Sequence, residues 1–157
     1  LCEWEDAPNR LHFYVVDLRR DKDGILVYTL AARSLDGAGP QPRGVTIKTP
    51  AGRSSLKVID EIAPATFTLT NTGGAAAEGA GAHFGSDLYR LSVSVEGRGW
   101  SARLLNGLTA VKAGASRPVT VYVSHEAGAV KSATVTLRAV SESDPSRTSA
   151  ATIKAAR

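Results

Sequence analysis

Cysteine, methionine and aromatic residues are scarce in this chain. Its 157 residues include one Cys, no Met, and 6% Phe, Trp and Tyr. The lone thiol, Cys2, cannot build an internal disulfide framework. It either pairs with a cysteine upstream in a longer precursor or stays free at a frayed end. The three histidines, His12, His83 and His125, lie far apart with no Cys or His at ligand spacing. That pattern argues against a metal site, and no cofactor is expected. No apolar run approaches the ~20 residues that cross a bilayer, so no membrane span is expected. A basic-then-apolar leader is also missing. The opening "LCEWED" is abrupt, so the chain reads as a fragment of a longer precursor. Its 19 Lys and Arg exceed its 15 Asp and Glu by four, yet only Arg19 and Arg20 are adjacent. Nucleic-acid binders gather their cations in a stripe, so no nucleic acid is expected. The mild positive charge leaves weak attraction to an acidic cell-wall polymer open.

What is present describes a globular protein. Hydrophobic content of 43% and charge of 22% are ordinary for soluble domains. The length suits one domain or two small ones. Residues 11–18, "LHFYVVDL", and 25–32, "ILVYTLAA", are β-branched and aromatic, and Asp23-Gly24 between them suits a tight turn. Both strands of this hairpin are apolar on both faces, which predicts burial by something beyond it, such as an upstream domain. A Pro/Gly loop follows at 34–44. Two short strands are expected around Pro50-Ala51-Gly52, and "EIAPA" at 61–65 reads as a boundary because Pro64 lacks an amide hydrogen.

From there the alternation is clean. Phe67 and Leu69 oppose Thr66, Thr68 and Thr70. Tyr89, Leu91, Val93 and Val95 oppose Arg90, Ser92, Ser94 and Glu96. Trp100, Ala102 and Leu104 follow, then Val119, Val121 and Val123, then Ala133, Val135, Leu137 and Ala139. A period of two over many short segments predicts half-buried antiparallel strands in a β-sandwich. Helix is nearly absent, with at most one turn over 104–111. The segment 74–86, "GAAAEGAGAHFGS", shows neither period and is expected to cross between two sheets.

The ordered motifs "FTLTNTG" at 67–73, "YRLSVSVEGRGW" at 89–100, "VKAGASRPVTVYV" at 111–123 and "ATVTLRAVSESDPSRTSAATIKA" at 133–155 resemble the NPCBM-associated bacterial Ig-like modules of secreted enzymes. Such modules sit at the C-termini of actinobacterial hydrolases, including metallopeptidases of the immune inhibitor A type. The resemblance implies a secreted, extracellular setting, and the Ala, Gly and Arg richness fits a high-GC actinomycete. The catalytic residues of those enzymes are absent, and no His-Glu-x-x-His motif appears. Residues 1–60 match no named family.

Several residues carry structural expectations. Trp100, after Gly99, is expected to plug the space between sheets with its indole N–H on a backbone acceptor. Asn71 tolerates left-handed geometry and can cap the turn leading to Gly73. Candidate chemistry is thinner. Asp17, Asp21 and Asp23 lack the remaining ligands and helical flanks of a calcium loop. Glu3, Glu5 and Asp6 lie near the start, where no cleft would separate their pKa values. "GAGAHFG" lacks the Lys-Ser/Thr of a phosphate loop. His83, Phe84 and His125 are loop-borne and Tyr122 faces away from its valine neighbours, so these four are the candidate ligand contacts.

The expectation is therefore an all-β chain: an irregular β region at 1–62, the end of an upstream domain or a small module of its own, then an Ig-like sandwich at 63–157. Its expected role is non-catalytic, as an accessory module that stabilises a secreted bacterial enzyme or assists attachment to substrate or cell wall. The expected partners are the rest of the parent polypeptide, with cell-wall polymer, polysaccharide or a protein substrate as further options. The alternative is a binding module for a protein partner, inhibitor- or adhesin-like. A hydrolase of unrecognised type would need a cleft of perturbed acids, or a nucleophile with its base.

Overall fold

The computed structural model describes residues 3–50, 55–59, 62–75 and 85–157. Twelve strands and no helix are found among them: β1 (Glu3–Asp6), β2 (Leu11–Arg20), β3 (Leu26–Ser34), β4 (Val45–Lys48), β5 (Ser55–Lys57), β6 (Ile62–Asn71), β7 (Ser86–Glu96), β8 (Trp100–Leu104), β9 (Leu108–Lys112), β10 (Ser116–His125), β11 (Ser132–Ser141) and β12 (Thr148–Ala156). They form three sheets. A four-stranded sheet in the order β4-β6-β10-β8 faces a five-stranded sheet in the order β5-β12-β11-β7-β9. A separate three-stranded sheet, β1-β2-β3, carries the N-terminal residues.

The alternation seen in the sequence is the packing of the sandwich. Phe67 and Leu69 of β6, Val121 and Val123 of β10, Tyr89 of β7, Val135 and Leu137 of β11 and Ile153 of β12 share one core. The residues between them are polar and face outward, as a period-two strand on a single core requires. Thr66 pairs with Thr120 and Thr136 with Thr152 through their hydroxyls on the wet faces. All sandwich pairings are antiparallel except β5 beside β12.

The pairing of the strands adds what the sequence pattern does not show. Two short strands, β4 and β5, lie either side of Pro50 as expected, and they do not pair with each other. β4 pairs with β6 in one sheet and β5 with β12 in the other. Pro64 does not end a unit: β6 runs through it, paired with Tyr122 of β10. Among the described residues the β4 pairing reaches only as far as Thr68, so no described neighbour on that flank asks Pro64 for an N–H. Residues 104–111 stay within the expected limit of one helical turn: β8 ends there and β9 begins, with no helix between them. The Gly/Ala segment joins β6 to β7, which lie in opposite sheets, but its residues 76–84 are outside those described.

The N-terminal hairpin forms around Asp21, whose Oδ1 accepts from the amides of Asp23 and Ile25, with Gly24 at φ 79°. A register shift between Val15 and Asp17 bulges β2. One face of this sheet lies on the outside of the five-stranded sheet, where Tyr14 and Val16 pack with Leu88 and Leu108, flanked by Ala31 and Ala110. The molecule is thus three layers deep at this end.

Candidate functional site

The seam between the three-stranded sheet and the sandwich holds the densest set of charged and polar contacts. Arg90 stands on the outer face of β7. Its Nε donates to Glu142 Oε1 at 2.6 Å, and its terminal nitrogens donate to both Glu3 oxygens, at 3.3 and 2.9 Å. One guanidinium therefore joins β1 to the loop between β11 and β12, in the forked geometry that suits carboxylates. Tyr14 Oη donates to Glu142 Oε2 at 3.0 Å and accepts from Arg33 Nε at 2.8 Å. His12 stacks on the Tyr14 ring with centroids 4.1 Å apart, and its Nε2 is 3.2 Å from Glu3. Asn106 closes the far side: its amide donates to the Val16 carbonyl, while its Oδ1 accepts from the Leu108 amide.

The electrostatics follow from these contacts. Hydrogen bonding from Arg90 holds the Glu3 carboxyl below its usual range, while the hydrogen bonds to Glu142 first, and then to Glu3, push the Arg90 guanidinium further up. Burial raises the Tyr14 hydroxyl. Both acids are held as partners of a cation, which suits them to clamping two sheets together.

Beside the seam, a cleft of about 450 Å³ runs between β3 and the β7–β9 edge, with Arg33, Asp87 and Lys112 on its walls. Asp87 is buried at its base. Its carboxylate accepts from the Ser141 hydroxyl at 2.7 Å and from the Leu88 amide at 2.9 Å, with Arg43 3.6 Å away. Each oxygen thus has a structural donor. Burial, with the Asp87 charge nearby, raises the hydroxyl of Tyr89, which donates to the Gly44 carbonyl.

Of the four candidate ligand contacts, the two that are described, Tyr122 and His125, do not face each other. Tyr122 is half-buried, with the Arg103 guanidinium 5.9 Å above its ring. His125, at the end of β10, turns toward Trp100 with centroids 5.0 Å apart. The two side chains sit on opposite faces of β10, as their odd spacing dictates. His83 and Phe84 lie outside the described residues. The indole N–H of Trp100, 8% exposed in the core, donates to the Val130 carbonyl at 2.8 Å. Gly99 before it has φ 78°. Asn71 is buried; its Oδ1 accepts from the Gly73 amide and its Nδ2 donates to the Val111 carbonyl, both at 2.8 Å. It bridges β6 to β9 without adopting the left-handed backbone its residue type allows. Gly73 packs where a Cβ would come within 2.6 Å of the Pro42 carbonyl oxygen.

The seam residues Tyr14, Arg90, Asn106 and Glu142 carry no motif. The seam's traces in the sequence are the two-faced apolar character of β2, which includes Tyr14, and Leu88, an apolar residue on the otherwise polar face that β7 shares with Arg90.

Comparison with known proteins matches both parts of the chain. Residues 47–157 match the family model described as "Peptidase M6-like domain", and residues 1–35 match one described as "middle domain". A protein of the fungus Arthroderma benhamiae, named "Putative secreted metallopeptidase", is 39% identical over 162 residues. That match covers 97% of this chain and 24% of the relative, so the chain spans about a quarter of the relative's length.

Proposed function

Because the chain belongs to the peptidase M6-like domain family, we propose that it is a non-catalytic accessory module of a secreted metallopeptidase. In this reading the sandwich is a foundation to which the middle-domain strands β1–β3 are fastened. The seam supports it most: Tyr14 and Val16 buried on Leu88 and Leu108, with Arg90 forked between Glu3 and Glu142. A patch of this kind fixes the orientation of a preceding domain and opposes its local unfolding. We place the division between the two units in the loop 35–44, after β3 and before β4, instead of at 62/63; the membership of β4 and β5 in the sandwich sheets supports this.

The extracellular setting follows from the relative's name. The proposal extends to an Ig-like, NPCBM-associated sandwich of bacterial source, supported by the two facing sheets and the ordered motifs at 67–73, 89–100, 111–123 and 133–155. Stabilisation is favoured over attachment to polysaccharide or cell wall, because Arg103 covers the Tyr122 ring that would otherwise offer a stacking surface.

The test is direct. The purified 157-residue chain, supplied with zinc, is assayed for hydrolysis of casein and of a quenched fluorescent peptide library. No cleavage above the buffer blank is expected. Zinc-dependent cleavage that survives repurification would overturn the non-catalytic reading.

A further inference from the structure

The three-stranded sheet covers only one of its faces. On the other, Trp4 stacks on Phe13 at 5.5 Å, and Leu18, Leu26, Tyr28 and Leu30 continue the apolar surface across β2 and β3. The pairings Trp4 with Phe13, Val15 with Leu30 and Leu18 with Tyr28 put these side chains on one face. Exposure of Trp4, Tyr28 and Leu30 is 62%, 55% and 64%. Isolated exposed apolar residues are ordinary; a contiguous group on one sheet face marks a contact surface.

The edge of the same sheet points the same way. β3 is nine residues long and, among the described residues, pairs only with β2. Solitary edge strands are normally guarded by lysine, proline, a bulge or short length. β3 has none of these; its one charge, Arg33, is turned toward Tyr14, and the bulge is in β2.

We propose that the remainder of the metallopeptidase polypeptide's middle domain occupies this surface, adding a strand to the free edge of β3 and an apolar layer over Trp4, Tyr28 and Leu30. This rests on the accessory-module reading above. The choice of occupant comes from chain length and position. The middle-domain match stops at residue 35, one residue past the end of β3, and most of the metallopeptidase relative lies outside the matched region. The chemistry of the occupant is complementary: an uncharged β-strand whose alternate side chains are apolar, the usual form of strand addition.

Hydrogen exchange tests this. Amides of 26–34 are followed by mass spectrometry in the 157-residue chain and in a longer polypeptide that also carries the peptidase region. The edge-facing amides of β3 should exchange roughly a hundredfold more slowly in the longer polypeptide. In that polypeptide, Leu30→Asp should restore fast exchange in β3 while amides of β10 stay protected, which separates undocking from misfolding. Leu105→Asp, at a position 76% exposed, is the matched control and should leave β3 protected. Equal exchange in the two polypeptides would overturn the docking. So would β3 protection in the 157-residue chain accompanied by a dimer mass in light scattering, since the occupant would then be a second copy. Cleavage by the isolated chain would sink the accessory reading and leave the exchange result legible.

Discussion

Tyr14 gives the most informative perturbation of the seam. Its side chain is fully buried against Val16, Leu88 and Leu108, and its hydroxyl links Arg33 to Glu142. Tyr14→Ala removes the ring and leaves a cavity beneath β2, which for buried aromatics costs about 3–5 kcal/mol. Tyr14→Phe keeps the ring and deletes only the two hydrogen bonds, for about 1–2 kcal/mol. The molecule supplies a reporter in each layer: Trp4 lies in the three-stranded sheet and Trp100 in the sandwich. Urea unfolding of the single-tryptophan variants Trp100→Phe and Trp4→Phe therefore reads the two layers separately. With Tyr14→Ala, the Trp4 transition should move to lower urea by the full cost, and the Trp100 transition by less. Tyr14→Phe should move Trp4 in the same direction by a smaller step. If Tyr14→Ala leaves both transitions within ~0.5 kcal/mol of the starting chain, the range of an ordinary surface change, the seam does not hold the sheets together.

Two further outcomes follow from local geometry and charge. Gly99→Ala forces a side chain onto φ 78° and places its Cβ 2.9 Å from the Ala129 backbone, so thermal unfolding should show a loss of about 2–4 kcal/mol. Gly114→Ala, at φ 72° with open space around it, should lose only the conformational part, about 1 kcal/mol. The Glu3 carboxyl is held below its ordinary value when folded, so its contribution is complete above the ordinary glutamate pKa. It disappears as the pH falls through the lowered one. Trp4 fluorescence at fixed urea should thus show the N-terminal sheet loosening in acid, and Glu3→Gln should flatten that segment of the profile.

Much of the sandwich is legible in the sequence because one core and one wet face impose a period of two, and β6, β7, β10 and β11 each obey it. The partners of β4 and β5 are not legible. Strands of four and three residues carry too little pattern to show that they belong to opposite sheets. Pro64 reads as a boundary because its missing N–H matters only where a neighbour needs it, and the reach of β4 is a tertiary fact. The apolar character of both faces of β2 and β3 is legible, and the structure divides it: one face meets Leu88 and Leu108, and the other stays exposed. Arg90 was unreadable as a clamp, since on a single strand it looks like any wet-face residue. Glu3 and Glu142 reach it from positions 87 and 52 residues away.

The account stands or falls on whether this chain supports catalysis without performing it. The decisive measurement is the kcat and the half-life at elevated temperature of a longer polypeptide that includes the peptidase region, with and without Tyr14→Ala. An unchanged kcat per active site with a shortened half-life is the predicted result. A collapse of kcat while β10 keeps its exchange protection would contradict it, because the seam would then belong to the catalytic machinery.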